Sequence, residues 1–352
     1  MFFRQRNLKL FSLLLILLAI TSFLVNYNQN AGSYTWSPDK YFTRFSDRFR
    51  RFMTFSRRIC NCDTCVAESE ISPWFDERFN QSIPALLTKQ NNMIPESVYR
   101  WWLRLQSERN PKNINKTIQD LFEIIPSDVD LMDHSPYRCR SCAVVGNSGN
   151  LKNSEYGAEI DDHDFILRMN HAPTTKYEAD VGRKTTHHFV YPESVRDLQE
   201  NVTMVLIPFK TLDLQWIVSA LTNGTINFAW ESSRGSLSER NGSRIDAIRE
   251  SILIYSPEFM KYIYDKWLLN HGRYPSTGLF SVIFALHVCD KVDIYGFGAD
   301  SKGNWHHYWE NNPSAGAFRK TGVHDGDFEG GKLTHAMICL VRTGKIGQVM
   351  TS

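Results

Sequence analysis

Residues 143–150 read Ala-Val-Val-Gly-Asn-Ser-Gly-Asn, an apolar run closing directly on a turn of glycine, asparagine and serine. A short apolar run bounded by such a turn reads as a buried strand, here over residues 143–147. The missing side chains of Gly146 and Gly149 let the backbone come close to a ligand. Asn147 and Asn150 carry amide donors suited to phosphate or ribose oxygens. The turn lacks a GxGxxG pattern, and no acidic residue stands cleanly at the distance a dinucleotide ribose requires. Taken alone, it is a nucleotide-binding loop or an ordinary strand-to-helix turn.

Outward from this stretch the pattern alternates. Residues 165–170, 186–191, 204–209, 252–255 and 292–297 read as strands. Residues 212–221, 257–269 and 278–288 read as helices, the last apolar all round and therefore buried. Alternation of this kind predicts an α/β domain with a mostly parallel twisted sheet flanked by helices. Such sheets bind ligands in the crevice beyond the carboxyl ends of the strands. From Cys60 onward the chain reads as one body, long enough to bury a sizeable core.

The N-terminus sets the compartment. Arg4, Arg6 and Lys9 precede an uncharged run over residues 10–25, LFSLLLILLAITSFLV. A spanning helix needs roughly 20 apolar residues, with a lower limit of about 17. The run is slightly short, and short spans suit thin early-secretory membranes. Basic residues on the N-terminal side keep that end cytoplasmic. The alternative, a cleaved signal peptide, needs small residues that the end of the run lacks. The expected layout is a cytoplasmic tail (1–9), a signal-anchor (10–25), a stem (26–58) and a lumenal domain (59–352). The stem, rich in phenylalanine and arginine over residues 41–58, reads as solvated chain or as an amphipathic helix. Sequons at Asn80, Asn115, Asn201, Asn223 and Asn241 favour the secretory pathway. A formal net charge of +2 gives no case for nucleic-acid binding.

The seven cysteines are Cys60, Cys62, Cys65, Cys139, Cys142, Cys289 and Cys339. Four zinc ligands can be drawn from them, but the regular double CxxC of a ribbon is absent. An oxidising lumen favours disulfides, and an odd number leaves one cysteine over. A bridge between Cys142 and Cys289 would tie the loop after residue 145 to the helix that starts near Ser276.

Residues 139–174, CRSCAVVGNSGNLKNSEYGAEIDDHDFILRMNHAPT, resemble the large sialyl motif of the animal sialyltransferases. Residues 271–298, HGRYPSTGLFSVIFALHVCDKVDIYGFG, resemble their small motif. HHYWENN (306–312) resembles the third motif and HDGDFE (324–329) the very small one. The four stand in family order, and the resemblance covers Cys60 to about Lys332. Through TTHHFVYPES (185–194) and the run from Tyr295 to Asp325, it is closest to the branch that forms α-2,3 linkages on Galβ1-3GalNAc, the core-1 O-glycan.

The resemblance implies a single Rossmann-like domain, a GT-A-like variant, behind an N-terminal transmembrane anchor in the Golgi membrane. The catalytic part would be lumenal, and a cleaved secreted form is compatible with this layout. It implies transfer of sialic acid from CMP-sialic acid to a galactose 3-hydroxyl, with inversion. The acceptors would be glycoproteins or glycolipids ending in Galβ1-3GalNAc. Deprotonating an alcohol calls for a base with a near-neutral pKa, and histidine has that property. His324 matches the family's catalytic histidine, with Asp325 and Asp327 beside it. His307 matches the third-motif histidine that contacts the donor phosphate, while His306 reads as a packing or supporting residue. Tyr274 matches the small-motif tyrosine on the phosphate. Asn147 and Asn170 match the paired large-motif asparagines, and Ser148 and Asn150 join them as donor-binding candidates. Ser276, Thr277 and Gly278 open the buried helix, whose N-terminus favours an anion. Gly298 matches the glycine beside the cytidine, although turn geometry alone would also explain it. Gln106 matches an acceptor-binding glutamine. Trp101 and Trp102 read as packing, with stacking on a sugar face as the alternative.

The implied disulfides are Cys60–Cys65, Cys62–Cys139 and Cys142–Cys289, leaving Cys339 without an assigned partner. The Asp-x-Asp pairs at 128–130 and 325–327 fit a metal pattern trivially. One phosphate needs a cation less than two do, and the family works without a metal, so no metal or cofactor is expected. The chain departs from the pattern at Trp230, which aligns with a phosphate-binding tyrosine. It also departs over residues 231–246, a candidate lid, and from Gly331 onward. A glycan-binding module of weak activity and a ganglioside-preferring enzyme are the alternative readings.

Overall fold

A computed structural model describes residues 15–21, 59–70, 72–108, 111–125, 131–133, 135–195, 201–222, 251–299, 304–311 and 349–350. Backbone contacts divide the chain into two units, Met1–Arg57 and Arg58–Ser352. Of the first, only residues 15–21 are described, and they are helical. Among the described residues, no helix is long and apolar enough to cross a membrane.

The second unit is built on a parallel sheet. Its strands are β1 (Ser141–Val145), β2 (Phe165–Met169), β3 (His187–Val190), β4 (Thr203–Leu206), β5 (Ile252–Ile254), β6 (Lys291–Tyr295) and β7 (Val349–Met350). Their order is β5-β4-β3-β2-β1-β6-β7, and every neighbouring pair is parallel. Starting from β1, the chain runs outward through β2 to β5. It then crosses to the other side of β1 to form β6. The direction of winding therefore reverses between β1 and β6, which is where an open α/β sheet opens its ligand crevice.

The observed strands stop short of the expected ones at their carboxyl ends. Asn147, Asn170, Tyr191, residues 207–209 and residues 296–297 turn out of the ladder and become loops. These loops form the rim of the crevice. Side chains alternate across the sheet with the period of two that a strand dictates. Cys142, Val144, Leu167 and Met169 join the larger core, and Ala143, Val145 and Ile166 join the smaller one on the opposite face.

Eight α-helices are described in this unit: α1 (Pro73–Asp76), α2 (Glu96–Trp102), α3 (Ile114–Ile124), α4 (Gly157–Asp161), α5 (Glu178–Val181), α6 (Thr211–Ala220), α7 (Pro257–Tyr262) and α8 (Thr277–Val288). Ten consecutive residues of α8, from Leu279 to Val288, are buried. This helix packs across β1, β2, β3 and β6. Its apolar character all round follows from having no solvent face. The expected single helix over 257–269 is instead α7 followed by a π turn, Ile263–Trp267, closed by the Leu268 N–H donating to the Ile263 carbonyl at 3.0 Å. At its end, Trp267 is fully buried edge-on to Phe75 and Trp74.

Three disulfides brace the fold: Cys60–Cys65, Cys62–Cys139 and Cys142–Cys289. They are the pairs that the resemblance implies. The last joins the start of β1 to the end of α8, beneath the crevice.

Candidate active site

The loop after β1 is sewn to the loop after β6. Gly146 N–H donates to the Tyr295 carbonyl at 2.7 Å and Ser148 N–H to the Gly296 carbonyl at 3.0 Å. Ser148 Oγ donates to the Gly298 carbonyl at 2.8 Å, and Asn150 Nδ2 donates to the Ala299 carbonyl at 3.2 Å. A Cβ on Gly146 would collide with the Gly296 carbonyl, so this approach requires glycine. Gly298 has φ +102°, a left-handed conformation that also favours glycine. Its turn geometry therefore suffices to explain the residue, whatever lies beside it.

Beside the switch point, at the carboxyl ends of β1 and β2, Asn147 and Asn170 come together. Asn147 Nδ2 donates to the Met169 carbonyl, next to Asn170, at 3.1 Å. Asn170 has φ +58°, and its backbone is fixed by its N–H donating to the Phe189 carbonyl at 2.9 Å and by His188 Nε2 lying 2.6 Å from its own carbonyl. Burial lowers the pKa of His188, so it stays neutral and donates. Asn147 Oδ1 and Asn170 Oδ1 are both shielded from solvent and accept no hydrogen bond. A buried acceptor left unpaired costs about 1–3 kcal/mol, which a ligand donor reaching these two oxygens would recover.

The start of α8 faces the same loops. Ser276 caps it, its Oγ accepting from the Leu279 N–H at 3.2 Å. The first-turn N–H groups of Thr277 and Gly278 have no acceptor within the helix, as at any helix start. A Cβ on Gly278 would stand 2.9 Å from the Phe297 ring, which places this turn against the β6 loop.

His307 belongs to the same group, its residue forming an antiparallel bridge with Ser148. Its Nδ1 lies 3.1 Å from Glu310 Oε1, and its ring stacks on Trp309 with centroids 4.4 Å apart. This leaves Nε2 as the ring nitrogen for another partner. His306 acts through its backbone, its carbonyl accepting from the Gly149 N–H at 2.8 Å.

A second group lies at the edge of the crevice nearest β4. Tyr274 packs on Phe209, with ring centroids 5.0 Å apart. Burial raises its pKa, so it remains a neutral phenol able to donate. Gln106 Oε1 accepts from Lys210 Nζ at 2.7 Å. Trp102 is fully buried, its Nε1 donating to the Pro208 carbonyl at 2.7 Å, and Trp101 packs on Tyr264. Both tryptophans are core, which removes the sugar-stacking alternative.

His324, Trp230, Asp325, Asp327, Cys339, both Asp-x-Asp pairs and the segment 231–246 lie outside the described residues. So do the sequon asparagines Asn223 and Asn241, whereas Asn80, Asn115 and Asn201 are exposed. Among the described residues, no three His, Cys, Asp or Glu side chains are arranged to hold a metal ion.

A family model described as glycosyltransferase family 29 (sialyltransferase) matches residues 86–337. The chain belongs to glycosyltransferase family 29, the sialyltransferases. It is 59% identical over 327 residues to CMP-N-acetylneuraminate-beta-galactosamide-alpha-2,3-sialyltransferase 1 of Gallus gallus, covering 93% of each chain. A solved mammalian sialyltransferase superposes with a TM-score of 0.73 at 53% identity, over 84% of this chain and all of that one. A second, solved in complex with Gal-beta-1-3GalNAc-ortho-nitrophenol, gives a TM-score of 0.72 at 52% identity, over 83% of this chain and all of that one.

Within this sialyltransferase, four supporting residues escaped the sequence reading: Lys210, Glu193, Glu108 and Glu310. Each acts on a site candidate or on the turn that carries one. Glu310 stands three residues from His307, so local spacing signalled it. Lys210 lies 104 residues from Gln106, and no local pattern announces that contact.

Proposed function

We propose that the chain is a β-galactoside α-2,3-sialyltransferase, moving sialic acid from CMP-sialic acid to the 3-hydroxyl of galactose in Galβ1-3GalNAc. The observation that carries this reading is the solved neighbour, half identical over its whole length and bound to that disaccharide. The crevice chemistry supports it. Asn147 and Asn170 offer unpaired acceptor oxygens, while Ser276, Thr277 and Gly278 offer a helix N-terminus suited to one phosphate. His307 and Tyr274 supply further donors, and Ser148, Asn150 and Gly298 shape the loop around the nucleotide. Trp230 stands where relatives carry a tyrosine and donates through its indole N–H alone.

The reaction is a single in-line displacement. His324 accepts the proton of the galactose 3-hydroxyl as that oxygen bonds to the anomeric carbon of sialic acid. The bond from that carbon to the CMP phosphate breaks, and its electron pair leaves with the phosphate. Donors around the phosphate stabilise the charge that develops there. Gln106 holds the acceptor galactose. No metal is needed, since the leaving group is one phosphate monoester anion. The chain is placed in the Golgi membrane by a signal-anchor over residues 10–25, with the domain from residue 59 in the lumen.

The test is transfer by the secreted domain from CMP-sialic acid to Galβ1-3GalNAc-benzyl in excess EDTA, with the product linkage determined. An α-2,3 product on galactose is expected. No product from folded protein that binds CMP would overturn the reading.

A further inference from the structure

Gln106 sits on the turn after α2, and that turn is pinned to the start of α6. Glu108 Oε2 accepts from the Thr211 N–H at 2.8 Å, and Glu108 Oε1 accepts from the Thr211 hydroxyl at 2.7 Å. The anchor fixes the backbone near Gln106 but leaves the side-chain amide free to flip. A glutamine amide has two faces, an acceptor oxygen and a donor nitrogen, and they recognise opposite partners. Lys210 removes the choice. Its ammonium carries donors only, so the group at 2.7 Å from Nζ is Oε1. Nε2 is then the amide atom turned away from Lys210.

Lys210 is itself held. Its side chain is 14% exposed, with Asp213 Oδ1 at 3.0 Å and Glu193 Oε1 at 3.2 Å. Asp213 is fully buried and also accepts from the Phe209 N–H at 2.7 Å, which fixes the carboxylate. Burial opposes the ammonium charge, and the two carboxylates more than offset it, so the lysine pKa stands above its ordinary value. A partly buried lysine paired with two carboxylates is a rigid donor, and it donates to Gln106.

We infer that Lys210 is a positioning residue for the acceptor galactoside, locking the Gln106 amide with its oxygen on the ammonium and its nitrogen toward the sugar hydroxyls. This rests on the α-2,3 reading for the identity of the sugar. Lys210 touches neither substrate and acts through Gln106.

The experiment measures binding of Galβ1-3GalNAc-benzyl to CMP-loaded protein by calorimetry, alongside turnover. Lys210→Met is expected to weaken disaccharide binding about tenfold, the loss of one well-aligned hydrogen bond. CMP affinity should stay within about twofold, which also reports that the variant folds. Lys210→Arg, still a donor-only cation, should hold disaccharide binding within about threefold of wild type. The double variant Lys210→Met, Gln106→Ala should bind no more weakly than Gln106→Ala alone, because the lysine acts on the sugar through the Gln106 amide. Disaccharide affinity unchanged in Lys210→Met, or losses that multiply in the double variant, would overturn the assignment. Wild-type protein that binds the disaccharide without transferring to it would sink the α-2,3 reading while leaving this affinity pattern as the test of Lys210.

Discussion

At the β1–β6 edge of the crevice, Ser148 and Asn150 bond directly to the backbone of the facing loop. At the β4 edge, Gln106 depends on Lys210, a long side chain held in turn by Glu193 and Asp213. The first edge shares its bonds with the sheet and with the Cys142–Cys289 bridge below it, so disturbing it disturbs the fold. The second is a set of side chains laid on a finished fold. Donor binding should therefore be coupled to stability, and acceptor binding should not.

The largest effect expected is one that spares both edges. His324→Ala should lower transfer by on the order of 10²–10⁴-fold, the usual worth of a general base, while CMP and disaccharide still bind. Near-normal turnover in that variant would rule out the histidine as the base. Next comes the bridge beneath the β1–β6 edge. Cys142→Ser should cost on the order of 2–5 kcal/mol in a denaturant midpoint and weaken CMP binding with it. An unchanged midpoint would break the link between donor binding and the fold.

Acid should act on the same sheet. Burial, aided by the charge of Arg140, lowers the pKa of His187 to about 4. The unfolded chain binds that proton near pH 6.5 and the folded chain does not, so stability is full above 6.5 and falls as the pH drops toward 4. The loss is on the order of 3 kcal/mol. His187→Gln should flatten this part of a stability–pH curve, and an unaltered slope would assign the acid response elsewhere. The smallest stability effect belongs to the β4 edge. Gln106→Ala should change the unfolding free energy by under about 0.5 kcal/mol, as for an exposed residue, yet raise KM for the acceptor. A large loss of stability there would erase the contrast between the two edges.

The same contrast decides how much of the molecule could be read from its sequence. Strands β1 to β6 follow from apolar runs, and the buried α8 from a run without a polar face. Their carboxyl ends were overdrawn because residues such as Asn147 and Asn170 look like strand ends but turn out to line the crevice. The loop after β1 announced itself through Gly146 and Asn147, though its ligand came only from the family resemblance. The helix α3, with Ile118, Leu121 and Phe122 at helical spacing on its buried face, was legible and went unassigned. The π turn after α7 was not, since the i to i+5 bond from Leu268 to Ile263 has no periodic signature. The Lys210–Gln106 contact was beyond reach, because only the folded sheet brings the ends of α2 and β4 together.

The most direct measurement is a crystal structure of the domain from residue 59 onward with CMP bound. The phosphate should lie at the first turn of α8, beside Thr277 and Gly278, with the nucleoside donating to Asn147 Oδ1 or Asn170 Oδ1. CMP bound away from the β1–β6 crevice, with those two oxygens still unpaired, would contradict the assignment of the donor site.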